Sequence, residues 1–330
     1  MPHWKTSSSN WYAPRQTTMS NVVQVHDLTR NFGTFTAVDG VTFDVSQSEI
    51  FGFLGPNGAG KTTTIKMLTG LLRPSSGSAL VSGFDVSTQI RQIKQRIGYM
   101  SQLFSLYADL TVDENIQLFA GLYGVTGARL NERRAWVLAM AGLADHRHRM
   151  TAELPLGFKQ RLALGCAVLH EPPILFLDEP TSGVDPVARR SFWDLIYQFA
   201  AAGTTVFVST HYMEEAEYCT RLALMNRGRL IALDRPAGFK QKMIEPLLQL
   251  NTDNAPAAVT VLRETPGVVA AAMFGRVVHV TVADESEALG MIPRVLDTAG
   301  LTCAGLERIT PSLEDVFVSL VMREGGAAVG

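Results

Sequence analysis

The chain has 330 residues, 46% of them hydrophobic, and its 29 Lys and Arg against 31 Asp and Glu leave a net charge of −2. That length suggests about two domains with volume for a buried core, and it excludes collagen, disulfide miniproteins and disordered tails. The charge balance points to no polyanion-binding surface spread over the whole molecule and leaves room for a local basic groove.

Cys166, Cys219 and Cys303 are too few and too scattered for a disulfide framework or a clustered metal site. They read as small buried hydrophobes of a protein from a reducing compartment. The longest apolar stretches, Leu162 to Leu169 and Val268 to Phe274, fall short of the ~20 residues a membrane-spanning helix needs. Any membrane role is therefore expected to run through a partner.

Residues 1 to 20 carry Pro2, Pro14, a run Ser7, Ser8, Ser9 and no acidic residue. They read as a disordered leader, with a start at Met19 and a targeting sequence as the successive alternatives. From Asn21 the pattern is that of strands: Val41, Phe43 and Val45 fall on one face, Thr42 and Asp44 on the other. A buried run, Ile50 to Leu54, leads into a glycine-rich turn and then a helical period, Ile65, Leu68 and Leu72.

Between about 104 and 170 the sequence reads as an inserted helical subdomain. Thr111 with Glu114 makes a capping box, and Ile116, Phe119, Ala120 and Tyr123 share an apolar face. Parallel-strand character returns in Ile174 to Leu177 and Thr204 to Ser209. The helix between them is capped by Asp185, with Pro186 at its first position. After Met243 the order strand, helix, two strands, helix, strand predicts a small α+β ferredoxin-like domain, followed by a last helix from Ser312 that buries Leu313, Val316, Phe317 and Leu320.

Gly55, Pro56, Asn57, Gly58, Ala59, Gly60, Lys61 and Thr62 fit the pattern GxxxxGK[ST] between a predicted strand and a predicted helix. Glycines let backbone N–H groups face a phosphate, Lys61 neutralises the β- and γ-phosphates, and the Thr62 hydroxyl is placed to ligand Mg²⁺. The run Ile174 to Leu177 ends in Asp178 and Glu179, so two carboxylates stand at the C-terminal edge of a buried strand, where open α/β sheets bind ligands. Asp178 can hold the metal while Glu179 orients and deprotonates an attacking water.

These residues resemble the ATP-binding cassette (ABC) ATPases over about Val22 to Lys242. The resemblance implies a P-loop fold of ABC type, with a mostly parallel core sheet, an antiparallel β subdomain and the inserted helices, over residues 21–243, and an accessory domain over 244–330. It implies ATP and Mg²⁺ as cofactors. Phe32 then falls where an aromatic residue stacks on adenine, and an aromatic face suits a purine ring. Gly55 to Thr63, including Thr63, is the phosphate loop. Gln102 is the Q-loop glutamine, whose amide suits both metal and water, and Leu175 to Pro180 the Walker B segment. Asp185 is the D-loop residue at the dimer contact, and His211 the switch histidine, able to donate to developing charge.

The family's signature loop is replaced here by Leu154, Pro155, Leu156, Gly157 and Phe158. Pro155 supplies neither a hydroxyl nor an N–H. Gly157 N–H and the following helix N-terminus remain for the nucleotide of the opposite subunit. The segment Ser312 to Phe317 is similar to the tail of the drug- and antibiotic-exporter branch.

The resemblance implies an ATP-hydrolysing exporter subunit on the cytoplasmic face of the membrane. It would pair as a homodimer, or as a heterodimer with a second ABC cassette, and drive a separate transmembrane permease, with no nucleic acid partner. A regulatory subunit with little turnover and a soluble ABC ATPase acting on ribosomes or DNA are the alternatives. Phe104, Leu106 and Tyr107 read as a groove for a helix of the permease. Arg129, Arg133 and Arg134 read as the wet face of a helix. Asp145, His146 and His148 read as a solvated loop rather than a metal site.

Overall fold

A computed structural model describes residues 21–102, 106–243 and 245–323; the leader and Phe104 lie outside the described residues. The chain divides into two compact units. The first comprises described residues 21–53, 58–210 and 227–229, the second residues 54–57, 211–226 and 230–323.

The first unit opens with strands β1 (Asn21–Phe32) and β2 (Phe35–Ser46), then β3 (Ile50–Leu54) and helix α1 (Lys61–Leu68). There follow β4 (Ser76–Val81), β5 (Phe84–Asp85), α2 (Ile90–Arg96) and β6 (Ile97–Met100). Helices α3 (Val112–Leu122), α4 (Gly127–Ala141) and α5 (Leu156–Ala167) come next. The unit continues with β7 (Ile174–Asp178), α6 (Pro186–Ala201) and β8 (Thr205–Thr210).

Two sheets follow from two sequence patterns. The alternating strands β2, β1, β4 and β5 form an antiparallel sheet in that order, burying Val23, Val25, Val41, Phe43 and Val45 on one face. The continuous runs β3, β8, β7 and β6 lie side by side in that order, with β6 to β7 and β7 to β8 parallel. Every residue of β3, β7 and β8 is buried. Phe43 of the antiparallel sheet stacks on Phe51 at 5.4 Å, and Phe207 packs on Phe51 at 5.1 Å and on Phe176 at 4.8 Å, so one aromatic cluster joins both sheets.

Helices α3, α4 and α5 pack on one another. Thr111 and Glu114 form the reciprocal capping box of α3. A Cβ on Gly165 of α5 would come within 2.5 Å of Val137 Cγ1 of α4, so the close approach of these helices requires glycine there.

Three expectations are corrected. Arg133 is not a solvated residue: its guanidinium donates to the carbonyls of Val168 and Leu169, pairs with Glu171 and covers the Trp136 ring at 4.2 Å. It thereby satisfies carbonyls at the end of α5. Leu106 is buried rather than part of an open groove, whereas Tyr107 is exposed. Cys166 and Cys219 are buried as expected, but Cys303 is only half-buried.

The second unit contains α7 (Met213–Ala216), β9 (Arg221–Asn226), β10 (Arg229–Asp234) and α8 (Pro236–Lys242). It goes on with β11 (Leu247–Asn251), α9 (Ala255–Arg263), β12 (Val268–Phe274), β13 (Val277–Val282), α10 (Glu285–Thr298), β14 (Gly305–Arg308) and α11 (Leu313–Arg323). The last strand of the predicted order, β14, spans four residues. Strands β12, β13, β11 and β14 form an antiparallel sheet in that order. Leu248, Leu250, Leu262, Val278, Val280, Ile292 and Leu296 form its core with α9 and α10. No helix among the described residues is long and apolar enough to cross a membrane.

Candidate functional site

The loop between β3 and α1 turns because Gly58 (φ 80°) and Gly60 (φ 102°) adopt left-handed backbone. A Cβ on Gly60 would also lie 2.7 Å from the Ala37 carbonyl oxygen, so the position admits no side chain. Gly60 is the N-cap of α1, which begins at Lys61, and the helix start directs backbone N–H groups and its positive dipole end toward the loop. Gly55, Pro56, Asn57 and Ala59 make up the rest of the loop, and Thr63 follows in the first turn of the helix.

On the parallel sheet, register sets the acids. Asp178 pairs in register with Ser209 of β8, and Glu179 follows with φ 47°, a left-handed conformation rare for a non-glycine residue and concentrated at functional sites. Ser209 Oγ donates to Asp178 Oδ1 at 2.5 Å and accepts from Glu179 N–H at 3.0 Å. Thr62 Oγ1 donates to the same Asp178 oxygen at 3.0 Å. Lys61 Nζ lies 3.5 Å from Glu179 Oε1, and Gln102 Nε2 donates to Glu179 Oε2 at 3.0 Å.

The structure thus brings Lys61, Thr62, Gln102, Asp178 and Glu179 into one cluster and adds Ser209, which sequence reasoning missed. A signal existed: Ser209 is the polar end of the buried run that follows Thr204.

The electrostatics of the cluster follow from burial. Lys61, Asp178 and Glu179 are all buried. Burial pushes the Asp178 carboxyl above its ordinary range, against the hydrogen bonds from Ser209 and Thr62. Burial likewise pulls the Lys61 ammonium below its usual value, against the pull of Glu179 and Asp178. Tyr99, on the neighbouring strand β6, is raised by its own burial and by the charge of Asp178.

Among the described residues, Asp178 Oδ2 is buried without a hydrogen-bond partner. One ammonium faces two carboxylates, and a buried carboxylate oxygen stands without a donor beside a threonine hydroxyl. These are the hard oxygen ligands that suit a divalent cation such as Mg²⁺.

The remaining expected residues sit on other elements. Phe32 ends β1 and is 47% exposed. Asp185 caps α6, accepting from the N–H groups of Val187 and Ala188 at 3.1 and 3.0 Å. Gly157 lies in the first turn of α5, whose N-cap is Pro155; a Cβ there would lie 3.1 Å from Ala188 Cβ. His211 directly follows β8, with its ring 4.2 Å from that of Tyr212. No cluster of three or more His, Cys, Asp or Glu residues able to hold a metal occurs among the described residues, at Asp145, His146 and His148 or elsewhere.

A protein-family model described as ABC transporter matches residues 38–182, and a shorter one described as AAA domain, putative AbiEii toxin, Type IV TA system matches residues 151–215. The daunorubicin resistance ATP-binding protein DrrA2 of Streptomyces coeruleorubidus is 34% identical over 90% of this chain and 94% of its own length. The probable multidrug ABC transporter ATP-binding protein YbhF of Escherichia coli (strain K12) is 53% identical over 66% of this chain, which spans only 38% of that relative's length. Among solved structures, an ATP binding subunit of an ABC transporter superimposes with a TM-score of 0.62 at 30% identity, covering 67% of this chain and 92% of its own. The P-loop built on β3 and α1, the acids closing β7 and these similarities agree: the chain belongs to the ABC transporter family, as an ATPase cassette of that family's fold.

Proposed function

We propose that the chain is the ATP-binding and ATP-hydrolysing subunit of an ABC-type exporter, pairing head to tail around two Mg-ATP and passing closure to a separate membrane permease. The observation that carries this reading is the cluster of buried Lys61, Asp178 and Glu179 with Thr62 and Gln102 hydrogen-bonded to its carboxylates, in which Asp178 Oδ2 has no hydrogen-bond partner among the described residues. The names of DrrA2 and YbhF, a resistance and a multidrug transporter protein, support export as the direction.

In this reading Thr62 and Asp178 hold Mg²⁺, which when bound polarises the phosphate oxygens and neutralises charge developing on them. The Lys61 ammonium, now beside Glu179, turns to the β- and γ-phosphates. Glu179 takes the proton of the attacking water, and Gln102 holds that carboxylate in place through its amide. His211 donates to the charge developing on the γ-phosphate. Phe32 stacks on the adenine.

Gly157 of the opposite cassette offers its N–H from the first turn of α5. The N–H groups of Phe158 and Lys159 are already turned inward to the Pro155 carbonyl, so contact from this loop is weaker than a serine-bearing loop would give. ATP favours the closed pair by binding it better than the open one, and loss of phosphate releases it. Residues 244–330 form an accessory domain of ferredoxin-like order that supports pairing, and the subunit sits peripherally on the cytoplasmic face of the membrane.

ATP turnover measured against chain concentration tests the composite site. Turnover that rises more steeply than linearly supports it. Bound ATP with no turnover at any concentration, with and without membranes containing a permease, would move the regulatory reading ahead.

A further inference from the structure

Phe32 stands at the end of β1 with a charged neighbour over its ring: the Arg30 guanidinium carbon lies 4.5 Å from the ring centroid. Arg30 is held there from behind. Its Nη1 donates to the Arg73 carbonyl oxygen at 2.8 Å, and the backbone on either side is joined to the same loop. Ser75 N–H donates to the Thr29 carbonyl at 2.8 Å, and Asn31 N–H donates to Ser75 Oγ at 3.0 Å.

That loop follows α1, and Leu71 and Leu72 N–H tie it back by donating to the Lys66 carbonyl at 2.9 and 3.0 Å. The ring contact of Arg30, its hydrogen bond to Arg73 and the bonds from Leu71 and Leu72 to Lys66 thus link Phe32, through the loop, to the helix that opens at Lys61.

We propose that Arg30 is a positioning residue for the nucleotide base: its guanidinium backs one face of Phe32 and leaves the opposite face as the platform on which the purine stacks. The proposal rests on the reading of Phe32 as the base-stacking residue. A planar, delocalised guanidinium can cover an aromatic face and reach a carbonyl at the same time, which a lysine ammonium cannot do. Holding the ring in advance reduces the side-chain freedom lost when the base arrives, and the tie to α1 fixes the spacing between base platform and phosphate loop.

The test compares ATP with inorganic triphosphate, each with Mg²⁺, in calorimetric binding to the full chain. Triphosphate reads the phosphate loop alone. Arg30→Leu is expected to weaken ATP binding about three- to tenfold and to leave triphosphate binding unchanged, with Arg30→Lys recovering part of the loss. Phe32→Ala is expected to weaken ATP in the same selective way, and adding Arg30→Leu to it should change nothing further, since the arginine acts through the ring.

Unchanged ATP binding in Arg30→Leu beside a weakened Phe32→Ala would leave Phe32 as the platform and overturn the role of Arg30. Equal losses for ATP and triphosphate in Arg30→Leu would assign the arginine to the fold instead. If Phe32→Ala binds ATP as the parent does, the platform reading falls and the proposal with it.

Discussion

Two buried aspartates, one in each unit, are treated in opposite ways. Asp315, in the first turn of α11, has both oxygens engaged: Oδ1 accepts from His279 Nδ1 at 2.7 Å, and Oδ2 accepts from Ser312 N–H and Oγ at 2.8 and 2.6 Å. Burial pushes its carboxyl up, but the hydrogen bonds from His279 and Ser312 outweigh that and hold it below the usual range. Asp178 has two donors crowded on one oxygen and no hydrogen-bond partner among the described residues for the other, and burial leaves its carboxyl raised. Under the proposed function the difference follows from role: Asp315 is satisfied by the fold, whereas Asp178 keeps an oxygen for the metal.

The largest effect that separates the two sites is expected from Asp178→Asn. Asparagine keeps the shape and the acceptor of Oδ1 but not the charge, so Mg²⁺-dependent ATP turnover should fall about a hundredfold or more. Stability to denaturant should hold or rise, because a buried charge is removed. A variant that hydrolyses ATP normally, or that unfolds easily, would erase the contrast.

Ser209→Ala should come next. It leaves Asp178 Oδ1 with Thr62 alone and removes one of the acceptors of Glu179 N–H, so turnover should drop about tenfold with a higher Mg²⁺ requirement. Turnover with an unaltered Mg²⁺ dependence would show that Ser209 only packs.

Asp315→Asn should give the reverse of Asp178→Asn, a loss of about 1–3 kcal/mol in denaturant stability at neutral pH. The sign of its pH dependence follows from the depressed carboxyl. Its contribution is full above the unfolded-state value of about 4 and is lost as pH falls through the folded-state value below it. The gap between parent and variant should therefore close on acidification, and hydrogen exchange in α11 should report it. A gap that widens in acid would contradict the assignment.

What could be read from the sequence was whatever lies close along the chain. Thr111 and Glu114 cap α3 across one turn, Asp185 caps the helix that Pro186 begins, and Gly58 and Gly60 shape the loop before Lys61. Each of these is settled within a few residues by backbone geometry.

What could not be read depends on register and packing between distant segments. Ser209 meets Asp178 only because β8 lies beside β7 with that pairing. Arg133 sits on a helix whose charge pattern reads as solvated, until the end of α5 arrives with bare carbonyls for it to bind. Leu106 looks available in a loop and is covered by the fold. Arg30, in a strand of mixed polarity, gives no sign in the sequence that its guanidinium will lie over Phe32.

In the proposed mechanism Glu179 activates the water, Lys61 holds the β- and γ-phosphates, and Thr62 and Asp178 hold Mg²⁺. Phosphate release in a single turnover, with saturating Mg-ATP and the Glu179→Gln variant beside the parent at equal concentration, tests it most directly. The variant is expected to bind ATP still and to release phosphate more slowly by about two to four orders of magnitude, the range for loss of a general base. Release by Glu179→Gln at the parental rate would contradict it.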